Sequence, residues 1–375
     1  MLSPEQSTYW ILVMNERPRP LEGIMDITPY KGGESKLNHD HILKLSSNES
    51  PFGCAPSAKE AALSALAEPQ LYPDGGHIRL RTAIADVYGL DPARVVCGAG
   101  SDEIISFAIK GFCPPGSEVI HTKHAFAMYK IYAMGAGARP VGVEETDFTA
   151  NVDHILKAVT DKTRAVFLAN PNNPTGTWIP KSEIHRLADQ LPTNILLVLD
   201  GAYGEYLEHH PDYDPGHQLA MERANVVVTG TCSKVHGLGG LRVGWGAASE
   251  EIISVMNRIR GPFNVSAVGL AAAEAAISDT VWWRNAVHKT NLLRETFVHF
   301  LNKQEIRHIP SAGNFVTLLL DDATSSQALD QHLRDHGIIT RSVASYHIRE
   351  GLRVSIGDEP AMERVCDAIK SWGAP

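Results

Sequence analysis

The stretch from Thr229 to Gly246, TGTCSKVHGLGGLRVGWG, limits the folds open to this chain more than any other. It follows directly on Val226-Val227-Val228, and this β-branched run with Thr229 reads as a strand buried on both faces. Such strands belong to parallel sheets covered by helices. The run breaks into Ser233-Lys234, a loop with Gly237, Gly239 and Gly240 follows, and a second strand-like run spans Leu241 to Trp245. A lysine just past a buried strand end is a candidate nucleophile, because a neutral amine held out of water or beside another cation attacks carbonyls. Arg242, a planar cation with five donors, suits a phosphate. Together they point to a lysine bonded to a carbonyl cofactor whose phosphate lies close by. A lysine stem lying along the loop with its ammonium in water accounts for Lys234 as well.

Composition narrows the classes. The chain has 375 residues, 43% hydrophobic and 21% charged, which fits a globular protein of about two domains. A net charge of −9 supplies no basic field for nucleic acid or an anionic membrane, so the arginines are expected to be local anchors. Cys54, Cys97, Cys113, Cys232 and Cys366 are scattered and form no CxxC pair. That pattern predicts free thiols in a reducing compartment and no metal site. The apolar run Tyr9–Met14 is too short for a signal or a membrane span, and the expected location is the cytoplasm. His209-His210 reads as a solvated loop, not a ligand pair.

Taken in order, residues 1–46 show little regular pattern and read as an arm lying over something else. Ser57-Ala58-Lys59-Glu60 reads as a capping box opening a helix through about Ala67. LYPDGG (Leu71 to Gly76) interrupts, and a second helix runs to Tyr88 before Gly89. Val95-Val96-Cys97 is a short strand entering Gly98-Ala99-Gly100-Ser101-Asp102-Glu103 and a helix, with Ser101 as expected N-cap. A glycine turn at a helix start presents amides to an anion, although it reads equally as a plain strand-to-helix connection. Strands and helices then alternate: strands at Glu118–His121, Ala165–Ala169, Ile195–Leu199 and Val226–Thr229, helices at Ala125–Met134, Val152–Val159 and Lys181–Leu191. The pattern predicts an α/β fold, a three-layer αβα large domain over 47–265 with a mostly parallel sheet and its site at the strand C-termini. After Gly261-Pro262 the spacing changes to helices at Ser266–Ile277 and Val281–Asn302, a strand at Asn314–Leu320, a helix at Ser326–His336, short strands and a final helix from Pro360 to Trp372. Residues 266–375 therefore read as a smaller α+β domain, joined by the 1–46 arm.

The candidate residues fall after successive strands. Asp200 closes the apolar strand ILLVLD, and a buried aspartate needs a cation or donors. A protonated pyridine nitrogen would serve, and the carboxylate would keep that ring an electron sink; capping the following loop is the plainer alternative. Tyr203, three residues on, and Asn173 in ANPNNPTG could hydrogen-bond a phenolate oxygen on the same ring, while Asn172–Gly176 is also simply a good turn.

SNESPFG, YPDGG, GAGSDE, HAFAMY, NPNNPTG, VLDGAY, CSKVHGLGGLRVGW and LRVSIG, in this order and spacing, resemble the motifs of the fold-type-I pyridoxal-phosphate aminotransferases, most closely the histidinol-phosphate branch. The resemblance covers roughly residues 21–372. It implies pyridoxal 5′-phosphate as cofactor, with Lys234 as its covalent anchor and the proton-transferring base, and Asp200 on the pyridinium nitrogen. It further implies Asn173 and Tyr203 on the ring oxygen and Phe126 on the ring face. The phosphate would lie on the amides of Gly100, Ser101 and Asp102, with Ser233, Arg242 and a Tyr72 donated by the partner subunit of a homodimer. Arg353 would clamp the substrate carboxylate, Arg341 would hold a substrate phosphate, and Asn173 would also line the substrate side. The implied reaction exchanges an amine between a small-molecule donor, histidinol phosphate, and a 2-oxo acid, 2-oxoglutarate.

The chain departs from the family pattern at Gly201, where many relatives carry glutamate, at Phe126, a frequent tyrosine, and at Ser342, a frequent proline. None of these removes a catalytic group, but the substrate side stays open. An aromatic amino acid aminotransferase, or one enzyme with both activities, remains an alternative. A pyridoxal-phosphate decarboxylase of a phosphorylated amino acid is another. A nucleotide-binding Rossmann module is disfavoured, since its third glycine is replaced by Glu103.

Overall fold

The computed structural model describes residues 19–39 and 41–372; the Tyr9–Met14 run lies outside the described residues. In chain order the strands are β1 (Leu43–Lys44), β2 (Val95–Gly98), β3 (Glu118–Thr122), β4 (Arg139–Val143), β5 (Thr163–Ala169), β6 (Leu196–Asp200), β7 (Val226–Thr231) and β8 (Gly244–Ala247). They are followed by β9 (His308–Ile309), β10 (Phe315–Leu319), β11 (Ile338–Ile339), β12 (Arg341–Ser342) and β13 (Gly351–Ser355). The first helices are α1 (Pro56–Ser64), α2 (Ile78–Tyr88), α3 (Ser101–Phe112), α4 (Ala127–Gly135), α5 (Val152–Lys157) and α6 (Lys181–Gln190). Then come α7 (His217–Glu222), α8 (Glu250–Ile259), α9 (Ala267–Ser278), α10 (Thr280–Lys303), α11 (Ala323–Asp335) and α12 (Glu359–Trp372). Among the described residues no helix is long and apolar enough to cross a membrane.

A seven-stranded sheet in the order β2-β8-β7-β6-β5-β3-β4 forms the centre. It is parallel from β7 to β4, while β8 runs antiparallel to both β7 and β2. Strand periodicity divides its side chains between two cores. Leu197, Leu199, Val226 and Val228 pack with Ile84, Leu187 and Ala273 of α2, α6 and α9 on one face. Leu196, Val198 and Val227 pack with Ile105, Tyr129 and Met256 of α3, α4 and α8 on the other. Each fully buried Val or Leu contributes about 1.5–3 kcal/mol, so both faces must be covered, and the three-layer α/β class follows. A third core, including Leu45, Phe297, Leu318, Leu352 and Val365, lies against the four-stranded antiparallel sheet β12-β13-β10-β9.

Several local expectations are corrected. The strand expected at Leu241–Trp245 begins only at Gly244: Gly239–Leu241 is a 3₁₀ turn and Arg242 takes a left-handed backbone at φ 55°. Ser57 is not the cap; the helix starts at Pro56 with Ala55 as its N-cap, two residues before the expected one, and the Ser57 hydroxyl instead donates to Asp279 at 3.1 Å. Ser101 is the first residue inside α3, and the N-cap is Gly100 at φ 85°. That left-handed φ, with ψ 169°, is one that side chains rarely adopt, and a Cβ there would also push the Arg242 guanidinium aside, so the position favours glycine. Strand β4 and helix α8 were not expected, and neither was β1, which pairs in parallel with β11 and ties the arm to the chain's C-terminal third.

Candidate active site

The carboxyl ends of β5, β6 and β7 open into a cavity of about 300 Å³. Ser101, Asp102, Phe126, Asn173, Asp200, Tyr203, Ser233, Lys234, Arg242, Arg341 and Arg353, all expected from sequence, line it together. Parallel strands ending at one edge explain why residues more than a hundred positions apart meet there. Gly100 contributes through its backbone, packed under Arg242 and against Gly244. Tyr72 is elsewhere: it is 81% exposed and stacks on Phe263 at 4.6 Å between centroids.

Asp200 lies at the cavity floor and is 4% exposed. Burial pushes its carboxyl above the usual range, while donors from Tyr129, Ala202 and Thr229 pull the other way, as does the Lys234 charge. The Tyr129 hydroxyl donates at 2.6 Å, the Ala202 N–H at 3.1 Å and the Thr229 hydroxyl at 3.2 Å. Lys234 Nζ donates to the Ser47 carbonyl at 3.1 Å and lies 5.7 Å from the Tyr203 ring centroid. The Tyr203 hydroxyl accepts from Asn48 at 2.9 Å. Asn48 sits in SNESPFG with φ 54°, a left-handed backbone that asparagine tolerates.

The N-terminal residues of α3, Ser101 and Asp102, also line the cavity, and the first helical amides have no intrahelical acceptor. Arg242 donates to the Ser233 hydroxyl at 3.2 Å, to the Gly239 carbonyl at 3.0 Å and to Asp102 at 3.1 Å. Burial pushes the Asp102 carboxyl up, and Arg242 opposes this. Amides, hydroxyls and a guanidinium make a cup for an anion.

Two further cations line the cavity. Arg353 is 6% exposed; its guanidinium donates to Asn173 Oδ1 and, at 2.9 Å, to the Ser46 carbonyl, with its carbon 5.3 Å from the Phe315 centroid. Its Nε has no partner, and burial lowers its pKa. Arg341 donates to the Gly32 and Lys31 carbonyls of the arm, each at 2.7 Å. The resemblance assigned the two arginines to different substrate groups, Arg353 to a carboxylate and Arg341 to a phosphate. They are direct partners in the β12–β13 register, which sets them side by side on one wall because opposed residues face the same way.

Sequence reasoning missed Tyr129, Asn48 and the Ser46 and Ser47 carbonyls. Tyr129 carried a signal, since it lies in HAFAMY one helical turn after Phe126, and the rings meet edge-on at 5.9 Å. The carbonyl contacts carried none, because main-chain acceptors are present at every position.

The cavity joins an amine, an aromatic face, a buried carboxylate and an anion cup, and this set suits a planar phosphorylated ring with a protonatable nitrogen. Fold and site thus define a lysine-centred α/β enzyme of the three-layer class. Residues 40–369 match the family described as aminotransferase class I and II. The histidinol-phosphate aminotransferase of Ruegeria pomeroyi is 46% identical, covering 94% of this chain and 97% of that protein, and that of Dinoroseobacter shibae is 48% identical over 95% and 98%. A solved histidinol-phosphate aminotransferase from Sinorhizobium meliloti, in complex with pyridoxal 5′-phosphate, is 28% identical with a TM-score of 0.87, covering 96% of this chain and 98% of that one. The chain belongs to the class I and II aminotransferases, in the histidinol-phosphate aminotransferase family.

Proposed function

We propose that this aminotransferase exchanges an amino group between histidinol phosphate and 2-oxoglutarate, giving imidazole acetol phosphate and glutamate, with pyridoxal 5′-phosphate as its cofactor. The cofactor supplies the carbonyl that takes up the amine and the electron sink that stabilises negative charge at the substrate carbon. Lys234 would anchor it, and its Nζ would move the proton to and from the substrate Cα. Asp200 would accept the ring N–H, Asn173 and Tyr203 would donate to the ring oxygen, and Phe126 would cover the ring. The Gly100, Ser101 and Asp102 amides, with Ser233 and Arg242, bind the phosphate.

One observation favours a phosphorylated donor over an aromatic amino acid. Arg341 and Arg353 stand side by side at the cavity wall, and neither forms an ion pair among the described residues. Two adjacent unpaired cations fit a dianionic phosphate, while Arg353 also serves the carboxylate of glutamate. The test is a donor panel of histidinol phosphate, phenylalanine and tyrosine on the wild type and Arg341→Ala. The variant is expected to lose roughly 30- to 1000-fold in kcat/KM for histidinol phosphate, about 2–4 kcal/mol, and to stay within about tenfold for the aromatic donors. Equal losses on both classes would mean that Arg341 acts only by holding the arm.

A homodimer completes the site in this reading. Leu63, Leu66, Leu71, Tyr72 and Ile78 are exposed around the α1–α2 connection, an apolar patch that suits an interface, and Tyr72 would reach the phosphate cup of the second copy. Tyr72→Phe is expected to weaken cofactor binding about tenfold without changing the dimer mass in light scattering. A fully active monomer would refute the shared site. Residues 47–265, and 266–375 with the 1–46 arm, would be its two domains, supported by their separate sheets, with α9 packing back into the core of the large sheet. The five free thiols support a cytoplasmic location.

A further inference from the structure

The Tyr129 hydroxyl lies 2.6 Å from Asp200 Oδ2, the shortest of the three contacts made to that carboxylate. Tyr129 is fully buried, stacked on Phe167 at 5.0 Å between centroids, so the hydroxyl is aimed by a ring that cannot turn away. Burial raises its pKa well above the ordinary value, and the Asp200 charge adds to this. The hydroxyl therefore keeps its proton and donates. The charges facing Asp200 are Lys234, which favours its ionised form, and Asp102, whose own carboxyl is raised by the Asp200 charge.

We propose that Tyr129 is a positioning residue for transamination: its hydroxyl holds Asp200 ionised and turned toward the ring nitrogen of the cofactor. The proposal rests on the reading of Asp200 as the partner of that nitrogen. The contact divides the work between the two carboxylate oxygens. Oδ1 is held by the Ala202 amide and the Thr229 hydroxyl, and Oδ2 by Tyr129. Without Tyr129, Oδ2 keeps no protein donor among the described residues, and an apolar floor then favours the protonated acid. A protonated Asp200 loses the charge-assisted bond to a ring N–H, and with it most of its preference for a ring N–H over a ring C–H.

The test compares dissociation constants, read by absorbance and fluorescence, for pyridoxal 5′-phosphate and its 1-deaza analogue, in which carbon replaces the ring nitrogen. Wild-type protein is expected to prefer the natural cofactor strongly. Tyr129→Phe keeps the ring and its packing, and is expected to shrink that preference about tenfold, the equivalent of one pKa unit at Asp200. A merely structural role would weaken both ligands alike and leave the preference unchanged. Tyr129→3-fluorotyrosine, a stronger donor of nearly the same shape, should enlarge the preference, and it serves if the phenylalanine variant does not fold. A change in preference below about threefold in both variants overturns the role of Tyr129. No preference in the wild type overturns the Asp200 reading itself, and the proposal with it.

Discussion

Lys234→Ala is expected to lower amino-group transfer by roughly 10⁴-fold or more, since anchor and proton-transfer group vanish together. Lys234 is the one lysine among the described residues lining the cavity, so no second amine can take its place. Its Nζ is held by the Ser47 carbonyl at 3.1 Å, within the same cavity as Asp200, Tyr203 and the anion cup. Lys234→Arg keeps the positive charge but not a nucleophilic amine, and should lose as much. Near-normal turnover in the arginine variant would show that only the charge matters. Purified wild-type protein should be yellow and lose the colour on borohydride reduction. Mass spectrometry should then find the reduced adduct on Lys234, and an adduct on another lysine would sink the assignment.

Arg353→Gln carries the second largest expected loss. The guanidinium is buried, has an unpartnered Nε, and is held by Asn173 and the Ser46 carbonyl with no carboxylate among the described residues. A buried cation without an anion is a standing cost, and a substrate carboxylate or phosphate relieves it. Removing one partner of such a buried pair costs about 3–5 kcal/mol, or roughly 10²- to 10⁴-fold. The loss should appear in single-turnover rates with glutamate and with histidinol phosphate. Arg353→Lys should recover only part of it, because an ammonium keeps the charge but not the planar fork. Full recovery by lysine would mean that charge alone is read, and wild-type rates in the glutamine variant would remove Arg353 from the substrate side.

Both losses concern residues that the sequence had singled out, while what holds them came from elsewhere. Lys234 stood out because a strand of four β-branched residues leads into it, and Asp200 because a lone carboxylate ends an apolar run. The order of strands and helices was legible for the same reason: burial on both faces writes a continuous apolar run, and a covering helix writes a 3.6-residue period. Strand β4 escaped because it lies at the sheet edge with exposed and half-buried residues, and edge strands carry little of that pattern. Helix boundaries slipped where backbone shape overrode a side-chain signal, as at Pro56 and Gly100.

The sequence by itself thus determined the fold class and the chemical types gathered at the strand ends, because these follow from local periodicity and residue chemistry. Only the tertiary structure decided which groups touch. The Tyr129–Asp200 bond spans 71 residues, and the bond from Arg353 to the Ser46 carbonyl spans 307. The β12–β13 register alone made Arg341 and Arg353 neighbours. Such contacts depend on sheet order, on register and on main-chain carbonyls, and none of these leaves a mark on the identity of a single residue.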